Sequence, residues 1–197
     1  MSSLFGRAQT LLRTNHGTLR GWVRYLLGQI EGIAGPGERY RLLIPQEVSR
    51  LVFVCLGNIN RSAFAQAVAQ TAGAYGVSVG LSTTTGVSAT DQAREVSAEL
   101  GFSLDAHQAT NFADFQALPG DLFIVMELRH AHRLAAHGIP PQQIILLGHW
   151  ARPMRYHIHD PQTLSTEYFR SCFAVILPAV RYLLRDLRRG DSPCMHP

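Results

Sequence analysis

The chain has 197 residues, 46% hydrophobic and 16% charged, with a formal net charge of +4 that leaves nine histidines uncounted. This balance fits one globular α/β domain with a segment to spare, and it excludes a disordered chain. A mildly basic surface suits an anionic substrate or an anionic surface without pointing to nucleic acid, and no apolar run is long enough for a membrane-spanning helix.

The chain opens without an acidic residue from Met1 to Ile30, while Arg7, Arg13, Arg20 and Arg24 are spread through that stretch. The composition is compatible with a transit peptide, but a secretory signal would need an uninterrupted apolar core. A retained amphipathic segment is the preferred reading. Leu19, Trp22, Val23, Leu26, Leu27 and Ile30 fall on one helical stripe, with Arg20 and Arg24 off it. Such a stripe packs on the rest of the chain or on a second copy, or else meets a membrane surface or another partner. Gly32 to Gly37, with Pro36, reads as a linker. Residues 1–49 are therefore expected to form an extension, 50–190 the main domain and 191–197 a tail.

After Arg50 the pattern becomes regular. Leu51–Cys55 is a short apolar, β-branched run, expected as a buried strand. Ser62–Tyr75 is alanine-rich and helical in period. Val77–Ser82 is a second strand and Asp91–Leu100 a helix closed by Gly101. Asp121–Met126 is a third strand, followed by a helix over Leu128–His137 and a fourth strand over Gln143–Leu147. Thr166–Arg189 is a long amphipathic helix that carries Pro178 and ends at Gly190. Four alternations of strand and helix imply a doubly wound parallel sheet with helices on both faces. Ligands then lie at the carboxyl ends of the strands, where Cys55 ends the first.

All 18 basic residues are arginine, which rules out Schiff-base chemistry and a P-loop lysine. The three cysteines, Cys55, Cys172 and Cys194, form no C-x-x-C and no even set. A reducing, cytoplasmic compartment with free thiols is expected. The histidine pairs His130/His132 and His157/His159 match no metal-ligand spacing and read as surface or helix-end residues.

The decisive segment is LVFVCLGNINRSAFA, which places Cys55-x5-Arg61-Ser62 between a strand and a helix. So short a loop must curl, turning the N–H groups of Leu56, Gly57, Asn58, Ile59, Asn60 and Arg61 toward one point as an anion nest. The following helix aims the positive end of its dipole at that point. A phosphate there lies on the Cys55 sulfur, where Arg61 can fork two hydrogen bonds onto its oxygens. Cysteines at helix N-termini ionise readily, so no histidine base is needed. Gly57 allows close approach of the backbone to the anion, and Asn58 tolerates a left-handed backbone. Ser62 suits the helix start, and its hydroxyl can reach the sulfur.

This segment resembles the phosphate-binding loop of low-molecular-weight protein tyrosine phosphatases, C-L-G-N-I-C-R-S, at seven of eight positions. The resemblance runs from about Leu51 to Arg189. It implies a four-stranded parallel sheet, a cysteinyl-phosphate intermediate on Cys55, no metal and no cofactor. Asp160, in Asp160-Pro161-Gln162, stands where the family carries its general acid. Ser82 resembles a family serine, and His107 a family histidine, that support the loop asparagine, here Asn58. Phosphotyrosine on a protein, such as a tyrosine kinase, is the substrate class implied.

Three departures stand out. Asn60 replaces the loop's usual second cysteine, which removes a local disulfide switch. Gln162 replaces the tyrosine that walls the substrate ring, and Thr83–Asp91 is short and lacks an aromatic residue. Tyr156 and Trp150 are the candidates to replace that wall. An arsenate reductase of the same fold is one rival, but neither Cys172 nor Cys194 sits in a relay segment. The other rival is an idle phosphate-binding module, which would not require both thiol and acid.

Overall fold

The computed structural model describes Tyr40 and residues 48–189. The amphipathic stripe Leu19–Ile30, the linker Gly32–Gly37, Gly190 and Cys194 lie outside them. Within the described residues the regular elements follow in order: β1 (Arg50–Cys55), α1 (Arg61–Thr71), β2 (Gly76–Gly80), α2 (Asp91–Glu99), β3 (Asp121–Val125), α3 (Leu128–Ala136), β4 (Ile144–Leu146) and α4 (Thr166–Arg189).

Two features of the helices carry physical information. The alanine-rich period of α1 runs on to Tyr75, yet the helix stops at Thr71. Gly73 turns left-handed at φ 77; its N–H reaches Gln70 O, and Ala74 N–H reaches back to Ala69 O. That is a Schellman termination, which glycine makes without steric cost. In α4, Pro178 interrupts nothing, and the helix runs unbroken for 24 residues. Proline frees the carbonyl four residues back, here that of Ala174, which lies on the exposed side where water can satisfy it.

All four strands are parallel, in the order β2-β1-β3-β4. The chain moves outward from β1 to β2 on one side, then crosses to β3 and β4 on the other. The switch between β1 and β3 opens a crevice beyond their carboxyl ends, where doubly wound folds place ligands.

Period-two alternation sorts the strand residues between two cores. Leu51, Phe53, Cys55, Leu122, Ile124, Met126 and Ile145 face α1, α2 and α4. Val52, Val54, Phe123, Val125, Ile144 and Leu146 face α3 on the other side. Helices thus cover both faces, as expected. Phe64 of α1 stacks on Phe173 of α4 with ring centroids 4.0 Å apart and 3° between planes, which fixes α1 and the loop at its start. Tyr40 is buried on the α3 side, its ring 5.8 Å from that of His132.

Candidate active site

β1 delivers Cys55, 2% exposed, to the mouth of the crevice. The next residues form the loop, and Asn58 makes its sharpest bend. Asn58 is fully buried, takes φ 52, and is held from five directions. Its side-chain NH2 donates to Ser62 Oγ at 2.9 Å and to Ser78 Oγ at 2.7 Å. Its Oδ1 accepts from Thr110 N–H at 2.8 Å. Its backbone N–H points at Cys55 Sγ from 3.2 Å, and its carbonyl lies 2.7 Å from His107 Nε2. A carbonyl only accepts, so that ring nitrogen carries the proton. Burial lowers the pKa of His107, and the bond to the Asn58 carbonyl works in the opposite direction.

Ser62 Oγ lies 3.0 Å from Cys55 Sγ. Because Ser62 already accepts from Asn58, its own proton is left to point at the sulfur. The thiol end of the loop therefore has two donors aimed at it, Asn58 N–H and Ser62 O–H.

The expected partnership of Asn58 with Ser82 is corrected. Both amide protons of Asn58 are used by Ser62 and Ser78, and Ser78 donates onward to Gln66 Oε1 at 2.6 Å. Ser82 lies beyond the end of β2, where its N–H donates to Leu56 O at 2.8 Å and the residue lines the crevice.

Arg61 opens α1 and is entirely buried. Nη1 donates to Glu127 Oε1 at 2.6 Å and to Ile158 O at 2.8 Å, and Nη2 donates to Asp160 Oδ2 at 2.6 Å. Burial opposes the guanidinium charge, but Asp160, Glu127 and Cys55 outweigh it and raise the Arg61 pKa. Its Nε is buried with no hydrogen-bond partner, a donor on the fork expected to hold an oxyanion. Glu127 went unnoticed in the sequence, although it stands just after β3, at the ligand-bearing end of the sheet. Burial works against its carboxylate, yet Arg61, then His130 and Arg129, bring its pKa down to about 2.

Cys55, Leu56, Gly57, Ile59, Asn60, Ser82, Asp160 and Gln162 line one cavity of about 130 Å³. Asp160 is the one carboxylate on it, with its side chain 29% exposed. Tyr156 and Trp150 do not line it. Both are 4% exposed, and Trp150 Nε1 donates to Asp186 Oδ2 at 3.0 Å. The wall that a family tyrosine would supply is here the amide of Gln162.

The remaining candidates fall elsewhere. Cys172 is buried in α4, where burial pushes its thiol up to about 12. His130 is not a surface residue: it is fully buried, with Nε2 3.8 Å from Glu127 Oε1. His157 and His159 stack in parallel, 8° apart. Among the described residues no cluster of three or more His, Cys, Asp or Glu could hold a metal ion, and no helix is long and apolar enough to cross a membrane.

Comparison with known proteins agrees with this geometry. The tyrosine phosphatase AmsI of Erwinia amylovora is 29% identical over 147 residues, 72% of this chain and 99% of that protein. Its crystal structure matches with a TM-score of 0.62 over 70% of this chain and 92% of that one. The low molecular weight protein-tyrosine-phosphatase Wzb of Escherichia coli K12 is 30% identical over 139 residues, 68% of this chain and 91% of Wzb. The YwlE arginine phosphatase from Geobacillus stearothermophilus, at 21% identity, shares the fold alone, with a TM-score of 0.62 over 72% of this chain and 94% of that one. A family model described as low molecular weight phosphotyrosine protein phosphatase matches residues 50–192, the span that builds the loop and everything that touches it, and the chain belongs to that family.

Proposed function

We propose that this phosphatase hydrolyses phosphotyrosine on proteins through a cysteinyl-phosphate on Cys55. The observation that carries the reading is the convergence of Cys55 and Asp160, from two separate parts of the chain, on one small cavity at the strand ends, with Arg61 of the Cys55 loop bonded to Asp160. The Cys55 thiolate attacks phosphorus in line: an S–P bond forms, the P–O bond to the leaving group breaks, and Asp160 passes its proton to the leaving oxygen. Arg61 and the loop N–H groups hold the equatorial oxygens. Water then forms a new O–P bond, the S–P bond breaks, and Asp160 takes the water proton back.

The ion pair between Arg61 and Asp160 gives this cycle its order. A phosphate dianion on the loop competes with the Asp160 carboxylate for Nη2. The substrate thus supplies the negative charge Arg61 needs while Asp160 carries a proton and turns to the leaving oxygen. Leu56 and Ile59 offer apolar surface to an aromatic ring, which supports tyrosine over serine. A tyrosine kinase is a fitting phosphoprotein substrate, in a cytoplasmic, reducing compartment that keeps Cys55 free. Leu19–Ile30 is proposed to serve self-association or membrane-surface contact.

Aryl phosphate hydrolysis by wild type, Cys55→Ser and Asp160→Ala tests the chemistry. Cys55→Ser should abolish turnover, and Asp160→Ala should lower kcat by roughly 10²–10⁴-fold, the span of general acid catalysis. Phosphotyrosine peptides should exceed phosphoserine and phosphoarginine peptides in kcat/KM. No turnover by wild type with intact vanadate binding would sink the reading in favour of a binding module.

A further inference from the structure

Asn60 sits at the N-cap position of α1, where an asparagine ordinarily turns its oxygen onto the first helical N–H groups. Here the side chain makes no cap. It is part of a buried residue, 3% exposed, and it spends both polar atoms elsewhere. Oδ1 accepts from Thr90 Oγ1 at 2.6 Å, and Nδ2 donates to Gln162 Oε1 at 2.8 Å. Thr90 Oγ1 in turn accepts from Ala93 N–H at 3.2 Å, as the true N-cap of α2.

The polarity of this chain is consistent from end to end. Ala93 N–H gives to Thr90, Thr90 O–H gives to Asn60, and Asn60 N–H gives to Gln162. A second strand of the same tie is Thr90 N–H to Ile59 O at 3.2 Å, which pins the loop itself to the start of α2. The last link reaches the acid, since Gln162 N–H donates to Asp160 Oδ1 at 3.2 Å. Asp160 is thereby held at one oxygen by the residue two positions on, and at the other by Arg61. Two residues that look like independent losses, a cysteine gone from the loop and a tyrosine gone from its rim, are hydrogen-bonded partners 102 positions apart.

We infer that Asn60 and Gln162 form a latch that clamps the Asp160 segment onto the phosphate loop and sets how well Asp160 delivers its proton. The inference rests on the phosphatase reading above. Neither residue reacts; both are positioning residues that act through Asp160. A misplaced acid hurts most where the leaving oxygen most needs a proton. Loss of the latch should therefore show as a steeper dependence of rate on the pKa of the leaving phenol.

The test is a double-mutant cycle of Asn60→Ala and Gln162→Ala, read on a series of aryl phosphates from nitrophenyl to unsubstituted phenyl. Each single variant should lose about tenfold in kcat/KM on phenyl phosphate and about twofold on 4-nitrophenyl phosphate, as expected for partial loss of proton transfer. The double variant should be no slower than the slower single, because one bond is lost only once. Gln162 is exposed, so Gln162→Ala leaves the core intact. If Asn60→Ala does not fold, Thr90→Val paired with Gln162→Ala supplies the cycle. Equal losses across all phenols, or losses that multiply in the double variant, would overturn the latch while leaving the phosphatase standing. A wild type inert toward every aryl phosphate would overturn the phosphatase reading, and the latch with it.

Discussion

Asn58 shows how much of this site depends on one small side chain. A left-handed residue other than glycine carries a backbone cost, and here five hydrogen bonds over-determine it. Ser78 is the partner that distinguishes the structure from expectation. Replacing it by alanine strands one buried amide proton of Asn58 and takes the donor from the side-chain Oε1 of Gln66. Ser78→Ala should destabilise by roughly 1–3 kcal/mol, the cost of orphaning buried polar groups, and should slow formation of the cysteinyl-phosphate. Ser82→Ala should cost less on both counts, as chemical denaturation and burst kinetics on both variants would reveal. The loop residues themselves were legible, because C-L-G-N-I-N-R-S carries its own geometry. The serine was not, because its identity depends on register. Cys55 pairs with Gly80 and Phe53 with Ser78, so Ser78 shares the Cys55 face of the sheet while β2 ends before Ser82. Gly80 completes the arrangement: a Cβ there would lie 3.0 Å from that of Asn58 and 2.8 Å from a Thr83 methyl.

Among the elements, the sheet was readable because its strands are short apolar runs separated by helical periods, and the alternation settles parallel order. What could not be read is the irregular stretch between β4 and α4, which brings Ile158 O and Asp160 to Arg61. No periodicity governs it. Its course is fixed instead by contacts such as Gly148, whose carbonyl accepts from Arg155 N–H at 3.0 Å. A Cβ at Gly148 would stand 1.8 Å from the Arg155 carbonyl oxygen, and backbone cannot yield as a flexible side chain can. Gly148→Ala should therefore displace the segment that leads to Ile158. Overpacking of this kind typically costs about 1–3 kcal/mol; the urea midpoint should fall, and turnover should drop in the protein that remains folded. An unchanged midpoint would show that this stretch is looser than its contacts imply.

For the whole molecule, the charges behind Arg61 set the response to acid. Glu127 is held down at about 2 against an ordinary 4.5. The unfolded chain takes up that proton first, so stability declines as pH falls from 4.5 toward 2. His130 is kept neutral, its pKa lowered from 6.5 to about 3, by burial first and then by Arg61. The unfolded chain protonates it earlier as well, so its contribution fades from pH 6.5 downward. Both slopes have the same sign, each at most about 1.4 kcal/mol per pH unit. His130→Leu should flatten the decline between pH 6.5 and 4.5 and leave the steeper fall below 4.5, as urea midpoints across that range would show. A wild-type midpoint constant from pH 7 to 4.5 would contradict this account of His130.

The reach of Arg61 has a consequence for how activity arises during folding. Its partners lie 66, 97 and 99 positions away in sequence, and contacts so distant form late because long loops must close first. A chain that has made only β1 and α1 already carries the nucleophile and the helix N-terminus, but neither the acid nor the carboxylates that anchor the arginine. Competence therefore arrives only with the stretch after β4, and a nascent or truncated chain holds a bare thiol without a working catalyst around it.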